Sequence, residues 1–377
     1  MWRFTSLSFL IWRVVLFVVA AIGPAILPKF GARFPYVEER LISTGLPSWI
    51  WVWGNFDGVH YLGIASQGYV AQFTQVFFPL YPALISFLGK VLLNQYLLVG
   101  MIISNFAFLA ALFLFFKLVE EEFELSIAKK AVIFLLIFPT SFYFGAVYTE
   151  GLFLFEILAC FYFAKKGKWL VASFFGFFAS LTRFLGVFLF PALILEYYLR
   201  RKLVINHQSS ITSVAWLILI PVGLAIYMIY LVINFGNPFY FLTAQPVFGA
   251  QRTAEEIVLF PQVVWRYLKI FFTVSTTTLP FYNALFEFVT TILFLFLILI
   301  AFFKTRISWA LFSFLAFITP TLTGTFSSMP RYVVVLFPCF IILASIKNRL
   351  VVLTVLILSL SLLFFWTVIF VRGYWVA

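Results

Sequence analysis

Residues 96–117 read YLLVGMIISNFAFLAALFLFFK, with no charge before Lys117. An apolar run of about 20 residues matches the roughly 30 Å hydrocarbon core of a bilayer at about 1.5 Å of helical rise per residue. Membrane strands instead alternate over about ten residues. The apolar character here is continuous, so the run predicts a spanning helix that satisfies its own backbone polar groups. Similar runs cover 7–27, 131–149, 150–164, 169–183, 184–199, 211–233, 283–303, 308–325, 332–346 and 350–371. The expected fold class is all-α integral membrane, a polytopic bundle of about eleven transmembrane helices.

Composition agrees. The 377 residues are 64% hydrophobic and 10% charged, whereas soluble domains carry about 25% charged residues. A soluble fold cannot hide that much apolar surface. The net charge of +12 does not point to nucleic acid, because the basic residues fall in short clusters between apolar runs. Arg3, Lys117, Lys129-Lys130, Lys165-Lys166-Lys168, Arg200-Arg201-Lys202, Lys304 with Arg306, and Lys347 with Arg349 are all expected on the cytoplasmic side. The N-terminus is then inside, with the first run serving as an uncleaved first helix, and the C-terminus is outside. Longer outer loops cover 28–95 and 234–282. The apolar stretch 77–93 is read as a membrane-surface or re-entrant helix in the first of these, since counting it as a span would invert the later clusters. Residues 1–377 are expected to form one membrane domain with no soluble appendage. Cys160 and Cys339 lie inside apolar runs, as packing residues do.

Asp57 is the only aspartate. It stands in Trp53-Gly54-Asn55-Phe56-Asp57-Gly58-Val59-His60-Tyr61, with His60 three residues on and on the same face of a helix. A carboxylate among aromatic and apolar neighbours suits a general base that takes a proton from an acceptor hydroxyl. Two plainer readings stand beside it. Asp57 could cap a surface helix, with Gly54-Asn55 as the turn. It could also pair with His60 on a metal, but two ligands do not make a site. Glu150, Arg183 and Arg331 are expected at the outer ends of spans. An ionisable group at mid-membrane costs about 2.5–3.5 kcal/mol on insertion scales, so such groups face a cavity or a partner. The alternative for the two arginines is snorkelling to headgroups. Arginine's planar fork of donors fits a phosphate, and a lipid-linked phosphate donor would meet it at the membrane edge. His207 is read as an inert residue of a polar cytoplasmic loop.

Several short motifs stand in order between about residues 50 and 340: Phe56-Asp57-Gly58-Val59-His60-Tyr61, Ile64-Ala65, Gly68-Tyr69, Phe77-Phe78-Pro79-Leu80-Tyr81-Pro82, Phe138-Pro139-Thr140-Ser141, Tyr148-Thr149-Glu150, Ser180-Leu181-Thr182-Arg183, Pro330-Arg331-Tyr332 and Phe337-Pro338. In order and spacing the chain resembles the GT-C glycosyltransferases, and within them the PIG-V-like group related to GPI mannosyltransferase II. The resemblance implies a GT-C-like bundle and an inverting transfer of a sugar, mannose above all, from a polyprenyl- or dolichyl-phosphate donor. The acceptor would be a hydroxyl of a glycan, lipid or protein on the extracytoplasmic or lumenal face. By position it gives Asp57 the catalytic base role and makes His60, Tyr69, Glu150, Arg183, Arg331 and Tyr332 substrate-binding. It implies no cofactor and no metal. Two departures stand out: Phe56 replaces the family's usual Trp, and Gln72 and Gln75 stand where a Glu follows the Gly-Tyr pair. Two rival classes are a transporter or flippase for a lipid-linked or small polar substrate, and a non-catalytic partner in a glycosylation complex. Transporters commonly show repeated halves and polar breaks at the midplane; no repeat is visible, and the unusual polar groups are expected at one end of the spans.

Overall fold

The computed structural model describes residues 1–31, 34–203, 214–249, 252–253 and 256–376, with backbone alone for 201–203. His207, the side chains of Arg201 and Lys202, and the start of the expected span 211–233 lie outside the described residues. Among those described, the regular structure is helical throughout, with no strand. The longer helices are α1 (Trp2–Ile26), α2 (Asp57–Gln67), α3 (Leu80–Val91), α4 (Tyr96–Glu120) and α5 (Leu125–Leu136). They continue with α6 (Glu150–Lys165), α7 (Trp169–Thr182), α8 (Leu189–Leu203), α9 (Leu219–Phe235) and α10 (Phe260–Thr273). The last are α11 (Leu279–Lys304), α12 (Ile307–Thr321), α13 (Phe337–Ala344) and α14 (Arg349–Val371).

Five helical segments among the described residues are long and apolar enough to cross a membrane: α1, α4, Trp216–Phe235 including α9, α11 and α14. The other runs fold as shorter helices joined to turns. The run 131–149 is not one helix. It stops being α-helical at Leu136, two residues before Phe138-Pro139, because proline lacks an N–H and drives its predecessor out of the α region. The run 184–199 begins at Arg183 in extended backbone, passes through a 3-10 stretch at Phe184–Phe188 and only then enters α8. The run 332–346 turns at Val333–Val335 and restarts at Phe337, with Pro338 in the first helical turn. In the stretch 77–93, α3 is 12 residues long, about 18 Å of helix, which is short of a crossing.

The chain divides into two compact units, one of Met1–Phe155 with Leu343–Val376 and the other of Glu156–Ile342. In the first, α1 runs alongside α14 at Gly23, where an added Cβ would stand 3.2 Å from Val371. Beyond α14 the chain is tied to the segment that follows α1. Arg372 donates to the Leu27 and Pro28 carbonyls, each at 2.7 Å, and the Tyr143 hydroxyl donates to Val376 O at 2.7 Å. The Arg13 guanidinium is buried over the Phe17 and Trp53 rings, 4.1 and 4.6 Å from their centroids. In the second unit α7 packs on α9 where Gly223 lies against the Phe177 carbonyl. Glu196 of α8 accepts from Arg306 at 2.6 Å and from the Ser308 hydroxyl at 2.5 Å, so this buried carboxylate is paired.

Candidate active site

Asp57 is the first residue of α2, and the residue before it has an unusual backbone. Phe56 adopts φ 57°, ψ −114° at the helix N-cap, without a side-chain cap. A bulky residue at positive φ costs on the order of 1–3 kcal/mol and persists only where its surroundings over-determine it. Here they do. The Phe56 ring lies 4.8 Å from Phe34, 5.9 Å from Phe370 and 5.3 Å from Trp375, meeting Trp375 edge-on. The Tyr148 hydroxyl bridges the peptides on either side, accepting from Asp57 N–H at 3.2 Å and donating to Asn55 O at 2.9 Å. The Asn55 amide donates to Phe370 O at 2.9 Å, and Val147 N–H donates to Trp53 O at 2.9 Å. Asp57 therefore does not act as the N-cap, the plainer reading of its sequence. It is a half-buried carboxylate in the first helical turn, where the helix dipole favours negative charge.

The same bonds join motifs that are far apart in sequence. Tyr148 precedes Thr149 and Glu150, and Glu150 opens α6 with its side chain 1% exposed. Ser104 of α4 donates to Tyr148 O at 3.0 Å and meets the Tyr81 hydroxyl at 2.7 Å. Tyr81 in turn interacts electrostatically with Glu150. The Tyr69 hydroxyl donates to Phe77 O at 2.6 Å. His60 stacks on Phe77 with ring centroids 5.0 Å apart and presents an edge to Tyr36. Burial holds the His60 imidazole below its ordinary pKa; Asp57 opposes that shift and Arg40 adds to it. His60 is thus neutral near pH 7, able to donate through one nitrogen and accept through the other.

In the second unit Arg183, Arg331 and Tyr332 come together. The Arg183 and Arg331 guanidinium carbons stand 5.3 and 5.4 Å from the centroid of the Tyr332 ring. Arg183 is placed by the break after α7, with φ −153° and ψ 148°. Arg331 and Tyr332 belong to the single helical turn Met329–Tyr332. Both guanidinium-to-ring distances are within the range of a cation–π contact. Asp57, His60, Tyr69 and Glu150 belong to one unit, and Arg183, Arg331 and Tyr332 to the other.

No protein-family model matches the chain, and no curated protein matches it.

Several residues around Asp57 escaped the sequence reading. Asn55, Tyr81 and Tyr148 stood inside quoted motifs, yet nothing in their spacing told that they bond one another. Arg40 carried no signal in the sequence. Its guanidinium donates to Val59 O at 2.7 Å and lies 4.4 Å from the Tyr36 ring centroid. Gly63 makes room for it, since a Cβ there would overlap the guanidinium. Among the described residues no three His, Cys, Asp or Glu side chains converge as a metal site would need.

Proposed function

We propose that the protein is an inverting membrane glycosyltransferase that moves a sugar, mannose in the first instance, from a polyprenyl- or dolichyl-phosphate donor to an acceptor hydroxyl. The proposed fold is a GT-C-like bundle of about eleven crossings, in which short helices and their turns together complete the spans. The distribution of basic clusters supports a cytoplasmic N-terminus and a reaction on the opposite face. The observation that carries the reading is the seat of Asp57. A strained residue held by four aromatic and polar partners delivers one half-buried carboxylate at a helix start, and strain of this kind gathers at functional sites.

The chemistry follows from the residues. Asp57 takes the proton of the acceptor hydroxyl as its oxygen attacks the anomeric carbon. The bond from that carbon to the phosphate oxygen breaks, and the lipid phosphate leaves with the electron pair. Because the leaving group is already a phosphate, it needs no general acid, only compensation of its charge, which is the role of Arg183 and Arg331. The decisive experiment incubates purified protein with a panel of polyprenyl-phosphate sugars and follows released lipid phosphate by mass spectrometry. Asp57→Asn should abolish release while the protein keeps its melting temperature; near-normal turnover in that variant sinks the assignment. Uptake into liposomes with no covalent product would favour the transporter class instead.

A further inference from the structure

Segment 234–282 has no part in the chemistry above, yet its backbone and polar side chains are bound to the stretch that delivers Arg331. Thr253 N–H donates to Thr323 O at 2.9 Å and Val258 N–H to Leu322 O at 3.0 Å. The Arg266 guanidinium donates to Gly324 O at 2.7 Å, and Arg252 to the Ser328 hydroxyl at 3.2 Å. Tyr267 of α10 is the hub. Its hydroxyl donates to Glu287 Oε2 at 2.5 Å, meets Thr325 Oγ1 at 3.3 Å and accepts from Phe326 N–H at 3.1 Å. Thr325 Oγ1 accepts from Ser327 N–H at 3.1 Å, and Glu287 takes further bonds from the Ser327 side chain and the Ser328 backbone. Tyr267, Glu287, Thr325, Ser327 and Ser328 are all buried.

What these bonds hold is a strained turn. Ser328 has φ 68°, in the left-handed region that favours glycine. Its carbonyl accepts from Arg331 N–H at 3.0 Å and Tyr332 N–H at 2.9 Å, so its conformation starts the turn that presents both side chains. Such a conformation persists only when its neighbours fix it. We propose that Tyr267 is a positioning residue for the phosphate-binding turn: its hydroxyl, through Glu287 and the Phe326 amide, fixes Ser328 and thereby the aim of Arg331. This inference rests on the reading of Arg331 as a phosphate ligand. Burial, with Glu287 adding to it, pushes the Tyr267 phenol up, so it stays a donor across the physiological range. The ring itself lies 4.9 Å from Phe326 and 6.3 Å from Phe288, contacts that a phenylalanine would keep. The hydroxyl links Glu287 to Phe326 N–H, and removing it takes a partner from both buried groups.

The test compares wild type with Tyr267→Phe in detergent, measuring affinity for polyprenyl phosphate, amide hydrogen exchange over 322–332 and melting temperature. The expected result is an affinity about tenfold weaker, the loss that one misplaced charge-assisted contact gives, together with faster exchange confined to that stretch. A lower melting temperature with affinity and local exchange unchanged means that Tyr267 only packs, and overturns the proposal. If wild type itself binds no polyprenyl phosphate, the glycosyltransferase reading falls. Exchange then judges the clasp alone, with unchanged protection in Tyr267→Phe counting against it. If Tyr267→Phe does not fold, Arg252→Gln, which removes the bond to the Ser328 hydroxyl and the positive charge near Glu287, takes its place with the same expected direction. Wild-type affinity and exchange in that variant overturn the proposal.

Discussion

Tyr148 shows how one polar atom can set the position of a carboxylate. Its hydroxyl links the peptide before Phe56 to the amide of Asp57, and it uses both its donor and its acceptor to make that link. Tyr148→Phe keeps the ring, which lies 4.8 Å from Tyr143 and 6.1 Å from Phe370, and leaves Asn55 O and Asp57 N–H without that bridge. The expected stability loss is about 1–3 kcal/mol, the cost of orphaning buried polar groups. Under the proposed function, sugar transfer should fall by a larger factor than stability explains, because Phe56 is then free to leave positive φ and swing the carboxylate. Turnover measured beside thermal unfolding checks this; a rate that simply tracks the folded fraction would leave Tyr148 a purely structural role. None of this was legible in the letters. Phenylalanine gives no signal of a left-handed backbone, as glycine or asparagine would, and the Tyr148–Asp57 bond spans 91 residues. The sequence singled out Asp57 as the only aspartate; how it is held could not be read there.

At the scale of elements, glycines decide how closely helices approach. Gly151, in the first turn of α6, has no room for a side chain: a Cβ would stand 2.7 Å from Ser104 O and 3.1 Å from Phe144 O. Both are backbone atoms that cannot rotate away, so Gly151→Ala must push α6 from α4, at a cost of about 1–3 kcal/mol. Gly58 in α2 is the contrast. Its Cβ would meet Val147 O at 3.5 Å, an ordinary contact, and Gly58→Ala should stabilise the protein by about 0.5 kcal/mol through reduced freedom of the unfolded chain. Melting temperatures of the two variants should move in opposite directions; movement in the same direction contradicts the packing described for α4 and α6. Long helices such as α4 and α11 were legible as uninterrupted apolar runs. Two breaks were legible as polar interruptions of apolar blocks, Thr149-Glu150-Gly151 and Thr182-Arg183, where α6 begins and α7 ends. Those inside 131–149 and 332–346 were not, because hydropathy is blind to backbone conformation: Phe138 and Phe337 are as apolar as their neighbours, and only Pro139 and Pro338 hinted at the ends.

For the whole molecule, the orientation proposed from the basic clusters can be tested directly. Lys168→Cys should react with a membrane-impermeant thiol reagent only from the cytoplasmic side, and Asn237→Cys only from the other. The reverse pattern would put the Asp57 segment in the cytoplasm and remove the case for a donor met on the far leaflet. The native cysteines are buried and should stay silent. One further consequence concerns time. The seat of Asp57 draws on Phe370 and Trp375, and the Asn55 amide is satisfied by a carbonyl 315 residues away. At about 5–20 residues per second of synthesis, Asn55 waits roughly 15–60 s for that partner. During that interval the nascent chain holds Phe56 uncaged and its neighbouring amide unsatisfied, so the Asp57 segment matures among the last parts of the protein, although it is among the first to leave the ribosome.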